Sequence, residues 1–334
     1  MVKSIGVIGA GSWGTSLANL LAKKGYQVTL WAYEADLVER MSQTHVNDLY
    51  LRGITLSENM VFTNRIEDAA NKQCVLFVPP SQAMRQVLTS CVQFMCSETL
   101  IISASKGIEN DTLSPMSEIF QQILPKELQQ RTAYLSGPTF AKEVALEKPS
   151  AVVAAAEDES IAVEAQELFN TEYFRVYTND DVIGVELGGA IKNVIALAAG
   201  VCDGLGYGYN TRAALITRGL AEMKRLGIAM GAKQETFAGL AGMGDLVLTC
   251  TGDLSRNRTV GIELGKGRKL QEILGEMTMI AEGVKTTLST YQLAAKLQVE
   301  VPIVEQMHAI LYQDKDPRQA VIELMQRELK SEYV

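Results

Sequence analysis

Ile5-Gly6-Val7-Ile8-Gly9-Ala10-Gly11-Ser12-Trp13-Gly14 is the stretch on which the fold turns. Residues 5–8 form a short apolar run suited to a buried strand. Residues 13–24 read as an amphipathic helix, with Leu17, Leu20 and Leu21 on one stripe and Gly25 placed as a C-terminal stop. Between them Gly9, Gly11 and Gly14 fit G-x-G-x-x-G. The pattern is weak alone, but after a strand and at the start of a helix it has mechanical content. Gly9 permits the tight turn, Gly11 lets backbone approach a pyrophosphate, and Gly14 lets helix and strand pack closely. The unpaired N–H groups of the helix start then face an anion. This spacing predicts a dinucleotide site.

Outward from that turn, residues 28–31, 74–78, 100–103, 133–135, 151–154 and 174–177 are further strand candidates, most of them separated by helical stretches. Such alternation implies a mainly parallel sheet covered on both faces. After Asn179 the strand signals stop. Residues 182–199, 211–226, 282–297 and 302–311 read as helices, the first with N-cap chemistry available from Asn179, Asp180 and Asp181. The expected architecture is α/β: an N-terminal Rossmann-type doubly wound sheet over 1–179 and an all-helical substrate and catalytic domain over 180–334. The 334-residue length fits about two domains.

Composition narrows the partners. The net charge of −8 disfavours nucleic acid as the main partner, although a locally positive pocket for a small anion remains open. Five cysteines without C-x-x-C spacing read as reduced buried thiols, and two isolated histidines, His45 and His308, make a metal centre improbable. No apolar run is expected to reach the roughly 20 residues of a membrane span, so stable membrane insertion is not expected. The cytoplasm is the default location.

Three cationic settings suggest chemistry. Lys106, in Ser105-Lys106-Gly107, follows the strand at 100–103 and so lies at its carboxyl end, where open α/β sheets bind ligands. Lys192 and Asn193 are the only polar residues from 187 to 199, so Lys192 must be paired or line a cavity. Desolvation and a neighbouring cation both lower a lysine pKa into the range useful for acid–base work. Ser255 reads as an N-cap ahead of Arg256 and Asn257, a phosphate site made of helix N–H groups and a guanidinium. Asp245 shares a helix face with Thr249 and needs a partner among apolar neighbours; Lys192 is the candidate. Around the end of the second strand, Ala32 and Tyr33 supply neither carboxylate nor arginine, and Glu34 is a possible 2′-hydroxyl partner. NAD against NADP therefore stays open. Together these parts suit a ligand with a phosphate and a carbonyl or hydroxyl.

The chain resembles bacterial NAD(P)-dependent glycerol-3-phosphate dehydrogenases over residues 5–324. The resemblance is carried by the glycine motif, by Ser105-Lys106-Gly107, by Leu135-Ser136-Gly137-Pro138-Thr139-Phe140-Ala141 and by Glu186-Leu187-Gly188-Gly189-Ala190-Ile191-Lys192-Asn193. It is carried too by Asn210-Thr211-Arg212-Ala213-Ala214-Leu215-Ile216-Thr217-Arg218-Gly219 and by Gly242-Met243-Gly244-Asp245-Leu246. It implies reversible reduction of dihydroxyacetone phosphate by NADPH or NADH, feeding phospholipid synthesis, by a homodimer. It implies Lys192 as proton donor or acceptor, with Lys106 and Asp245 beside it. Implied substrate contacts are Lys106, Gly137, Thr139, Lys192, Asp245, Ser255, Arg256 and Asn257. Implied cofactor contacts are Ser12, Trp13, Tyr33, Lys106, Ala141, Arg256, Ile280 and Glu282, besides Gly9, Gly11 and Gly14. A β-hydroxyacid-type dehydrogenase, a catalytically silent nucleotide sensor and a purely structural protein are the alternatives. They are weakened respectively by the adjacent Lys192-Asn193, by the joint presence of Lys192 and Asp245, and by polar residues set into apolar helices.

Overall fold

The computed structural model describes residues 2, 4–277 and 281–332. Eight strands form one sheet: β1 (Ser4–Ile8), β2 (Gln27–Trp31), β3 (Met60–Thr63), β4 (Cys74–Phe77), β5 (Leu100–Ser103), β6 (Thr132–Ser136), β7 (Ser150–Ala155) and β8 (Phe174–Asn179). Their order is β3-β2-β1-β4-β5-β6-β7-β8. The first six strands follow the Rossmann order, with the switch of direction between β1 and β4. All neighbouring pairs are parallel except β6 with β7. β3 is absent from the sequence reading. It is a four-residue edge strand whose apolar run, Met60-Val61-Phe62, is only three residues long, and Val61 is exposed.

The glycine turn behaves as its spacing predicts. The helix after β1 spans Ser12–Lys23 and buries Leu17, Leu20 and Leu21 against the sheet. Gly9 has φ +119°, and a Cβ on Gly14 would run into the Gly9 carbonyl. Gly25 follows the helix with φ +103°. Of the five cysteines four are buried, but Cys96 is exposed, which corrects the expectation of uniformly buried thiols.

The helical half is organised around Val182–Gly204, a helix buried along nearly all its length. Asp181 caps it, accepting from the Gly184 N–H at 2.9 Å. This helix corrects another expectation: it is long and apolar enough to span a bilayer by composition. Here 89% of that apolar window is buried inside the protein, so it is the core of the helical half. Helix Arg256–Gly265 lies against it backbone to backbone. A Cβ on Gly200 would strike the Arg258 carbonyl, and one on Gly261 the Leu197 carbonyl. These glycines hold the start of helix Arg256–Gly265 close to Lys192.

Alanine is the better helix former by about 1 kcal/mol, so an unhindered glycine would gain from the change. At Gly261 the close contact reverses the sign. Gly261→Ala is expected to lose about 1–3 kcal/mol, measured by urea denaturation; an unchanged or raised midpoint would contradict the close-packed arrangement.

Candidate active site

A groove of ≈ 840 Å³ opens at the carboxyl ends of the strands. One wall is the glycine turn, Gly9, Gly11, Ser12, Trp13 and Gly14, with Tyr33 and Glu34 beyond β2. The other carries Lys106, Lys192, Asn193, Arg256, Asn257 and Glu282, with Thr139 and Ala141 between. Elements far apart in the chain thus meet at one cleft.

Asp245 organises the chemistry. It is fully buried at the start of helix Asp245–Thr251. One carboxylate oxygen, Oδ2, accepts from Lys106 Nζ at 2.7 Å; the other, Oδ1, accepts from Lys192 Nζ. Lys106 also donates to the Gly137 carbonyl at 3.1 Å. Thr249 Oγ1 lies one turn on, 2.6 Å from the Asp245 carbonyl and 3.4 Å from Oδ1, so the two residues share a helix face. Asp245 does not line the groove; it stands behind the two lysines, which do. Burial lowers the Lys192 ammonium to about 8, Asp245 opposes that shift, and the nearby Lys106 charge adds to it.

Glycines make the cluster possible. Gly137 has φ +145°, and a Cβ there would press on Val152 at 2.8 Å. A Cβ on Gly189 would meet Ser136 Oγ at 2.6 Å and the Lys106 stem at 3.3 Å. One on Gly188 would meet the Ala241 carbonyl. The Gly188-Gly189 pair therefore lets both the Lys106 side chain and the turn before Asp245 lie against the core helix.

At the other end, Ser255 Oγ accepts from the Arg258 N–H at 3.3 Å and caps helix Arg256–Gly265. That leaves the N–H groups of Arg256 and Asn257 to face an anion. Asn257 is held on both sides: Nδ2 donates to Asn193 Oδ1 at 2.9 Å, and Oδ1 accepts from the Gly283 N–H at 2.9 Å. Arg258 turns away, pairing with Asp203 at 2.8 Å and Asp253 at 3.0 Å.

The first wall fits a dinucleotide. The helix Ser12–Lys23 has no side-chain cap, so its first N–H groups are available for phosphate. Trp13 Nε1 is buried with no partner among the described residues. Glu282 is less free than the resemblance implies, because Ser81 Oγ donates to it at 2.7 Å. Ser81, which orients Glu282, gave no signal in the sequence. Gly137 and Ser255 stand behind the groove wall and Ile280 lies outside the described residues.

With this geometry in hand the chain can be set beside known proteins. Sequence profiles of the NAD-dependent glycerol-3-phosphate dehydrogenase N-terminus and C-terminus match residues 4–162 and 181–322. The chain belongs to the NAD(P)-dependent glycerol-3-phosphate dehydrogenase family. The enzyme of Citrifermentans bemidjiense with that name is 65% identical over 335 residues, covering 100% of both chains. The Syntrophotalea carbinolica enzyme is 64% identical over 330 residues, covering 98% of this chain and 99% of its own. The crystal structure of glycerol-3-phosphate dehydrogenase from Coxiella burnetii superposes with a TM-score of 0.93 at 42% identity, over 98% of this chain and 99% of that one.

Removing the shared carboxylate would leave two ammonium groups facing each other with no counter-charge. Asp245→Ala is expected to cost about 3–5 kcal/mol near neutral pH. The cost should shrink as the pH rises toward about 8 and level off above it, because the folded variant, without the carboxylate, releases a lysine proton at a lower pH than the folded wild type does. Urea denaturation at several pH values checks this; a small, pH-independent loss would contradict the shared-carboxylate geometry.

Proposed function

We propose that this chain reversibly reduces dihydroxyacetone phosphate to sn-glycerol 3-phosphate, with Lys192 as the proton donor. The observation that carries the reading is the Lys106–Asp245–Lys192 cluster, set in the groove that also holds the glycine turn and Arg256. NADH or NADPH, when bound along the glycine turn, supplies the hydride that adds to the carbonyl carbon. Lys192 gives its proton to the carbonyl oxygen as that hydride arrives, and the amine left behind stays hydrogen-bonded to Asp245. The reverse reaction returns the proton to Lys192.

The arrangement suits both directions. Asp245 fixes where the Lys192 ammonium points, and the Lys106 charge makes its proton easier to give up. Lys106 remains a cation beside the developing alkoxide and stabilises it. Arg256 and the N–H groups at the start of its helix bind the phosphate, which locates the carbonyl relative to Lys192. Ser255 and Asn257 serve this end chiefly by holding the helix start in place. Thr139, Gly137 and Ala141 form the wall between the two ends, and Tyr33 and Glu282 flank the cofactor. The family relationship supports three further assignments: a dinucleotide-binding domain at 1–179 with a helical catalytic domain at 180–334, a cytoplasmic homodimer, and a role in supplying the glycerol backbone of phospholipids.

The pure protein is expected to oxidise NADPH or NADH only when dihydroxyacetone phosphate is present, followed by loss of nicotinamide absorbance. Lys192→Met should retain cofactor binding yet lose about 10²–10⁴-fold in kcat. No substrate-dependent decay with either cofactor would contradict the proposed reaction, and normal turnover in Lys192→Met would remove that residue from it.

A further inference from the structure

Where a hydride has to meet the carbonyl, the cations Lys106, Lys192 and Arg256 line the groove. Two carboxylates line it as well: Glu34 stands beyond β2, and Glu282 stands at this reacting end. Glu282 belongs to the helical half, yet its position is set from the sheet half. Ser81 Oγ donates to Glu282 Oε2 at 2.7 Å, and the Ser81 N–H donates to Oε1 at 3.4 Å. Burial raises the Glu282 carboxyl, while the Ser81 hydroxyl, the Ser81 N–H and the charge of Arg256 all favour its ionised form. Arg256 acts through its field alone, because no cation among the described residues reaches ion-pair distance of Glu282.

Ser81 has little freedom to do otherwise. It is buried in the short turn Ser81–Ala83 that follows β4. Gln82 Nε2 donates to Ser81 Oγ at 3.3 Å, which leaves the hydroxyl proton for Glu282. The orientation of the Gln82 amide is fixed in turn: Nε2 donates to the Ile108 carbonyl at 2.8 Å, and Oε1 accepts from the Asn110 N–H at 3.0 Å. Ser105 Oγ adds a bond to the Pro79 carbonyl at 2.6 Å. The turn is thus clasped to the loop that carries Lys106. A Cβ on Gly107, whose φ is +155°, would lie 2.4 Å from Ser81 Oγ, so the glycine next to Lys106 gives the hydroxyl its room.

A nicotinamide ring is a cation when oxidised and neutral when reduced. A wall of ammonium and guanidinium groups repels the oxidised ring, and a fixed carboxylate at the same place attracts it. We infer that Ser81 is a positioning residue that holds the Glu282 carboxylate toward the nicotinamide, and that this pair sets the balance of affinity between oxidised and reduced cofactor; the inference rests on the nicotinamide reading above. The same carboxylate steadies the positive charge that grows on the ring as its hydride leaves.

The test needs no turnover. Isothermal titration of the full chain compares NAD+ with NADH and NADP+ with NADPH, and the readout is the ratio of dissociation constants, oxidised over reduced. Glu282→Gln keeps an acceptor for Ser81 but loses the charge, and is expected to raise the ratio about tenfold, the effect of one nearby charge in a partly solvated site. Ser81→Ala leaves the charge free to turn away and should raise it about threefold. The double variant should match Glu282→Gln alone, because Ser81 acts through Glu282. Loss of packing weakens both states equally and leaves the ratio unmoved. An unchanged ratio in either single variant, or a double variant in which the two effects multiply, would therefore overturn the inference. Binding of neither state by the wild type would overturn the nicotinamide reading and the inference with it. The expected ratios without dihydroxyacetone phosphate reduction would support the inference and count against the proposed reaction alone.

Discussion

A single buried carboxylate shared by two ammonium groups sets the terms for the rest of the molecule. Asp245 has no contact with water, so its charge has to be met from within. Lys106 reaches it from the end of β5, and Lys192 from the core helix of the other half of the chain. The ion cluster therefore spans the sheet and the helices, and neither half completes it alone. Buried ion groups of this kind are poor sources of net stability, because desolvation offsets most of their attraction. What the cluster does provide is a lysine with a weakened hold on its proton, kept at one place on a groove wall.

The second constraint is backbone proximity. Gly188 and Gly189 let the Asp245 turn and the Lys106 stem lie on the core helix, while Gly200 and Gly261 bring the Arg256 helix against the same helix further along. One helix thus fixes the separation between Lys192 and the start of helix Arg256–Gly265. A substrate that is held at one end by its phosphate presents its carbonyl at the other. In the proposed reaction that spacing, as much as any one contact, would select a short phosphorylated ketone.

Much of this was legible in the residues. The glycine spacing identified the turn, and the alternation of apolar runs located every strand except β3, an edge strand whose run of three apolar residues, Met60-Val61-Phe62, is shorter than the four-residue run of the buried strand β4. An isolated lysine in an apolar helix signalled its own need for a partner, and Asp245 met it. Other features had no such signal. Asn47 looks like an ordinary loop residue, and only the fold shows that it bonds back to Ala10. Ser81 sits in an unremarkable turn, and its bond to Glu282 joins positions 201 residues apart. The helix Val182–Gly204 shows a different limit: composition alone does not separate a membrane span from a protein core, and only its neighbours do.

The most direct measurement is the titration of the Lys192 side chain itself, followed by NMR of its ε-carbon and ζ-nitrogen in the full-length protein. Burial and the neighbouring Lys106 charge should bring its midpoint to about 8. A midpoint in the ordinary range of an exposed lysine, about 10.4, would mean that Lys192 stands apart from the cluster in solution, and the account of the proton donor would fail.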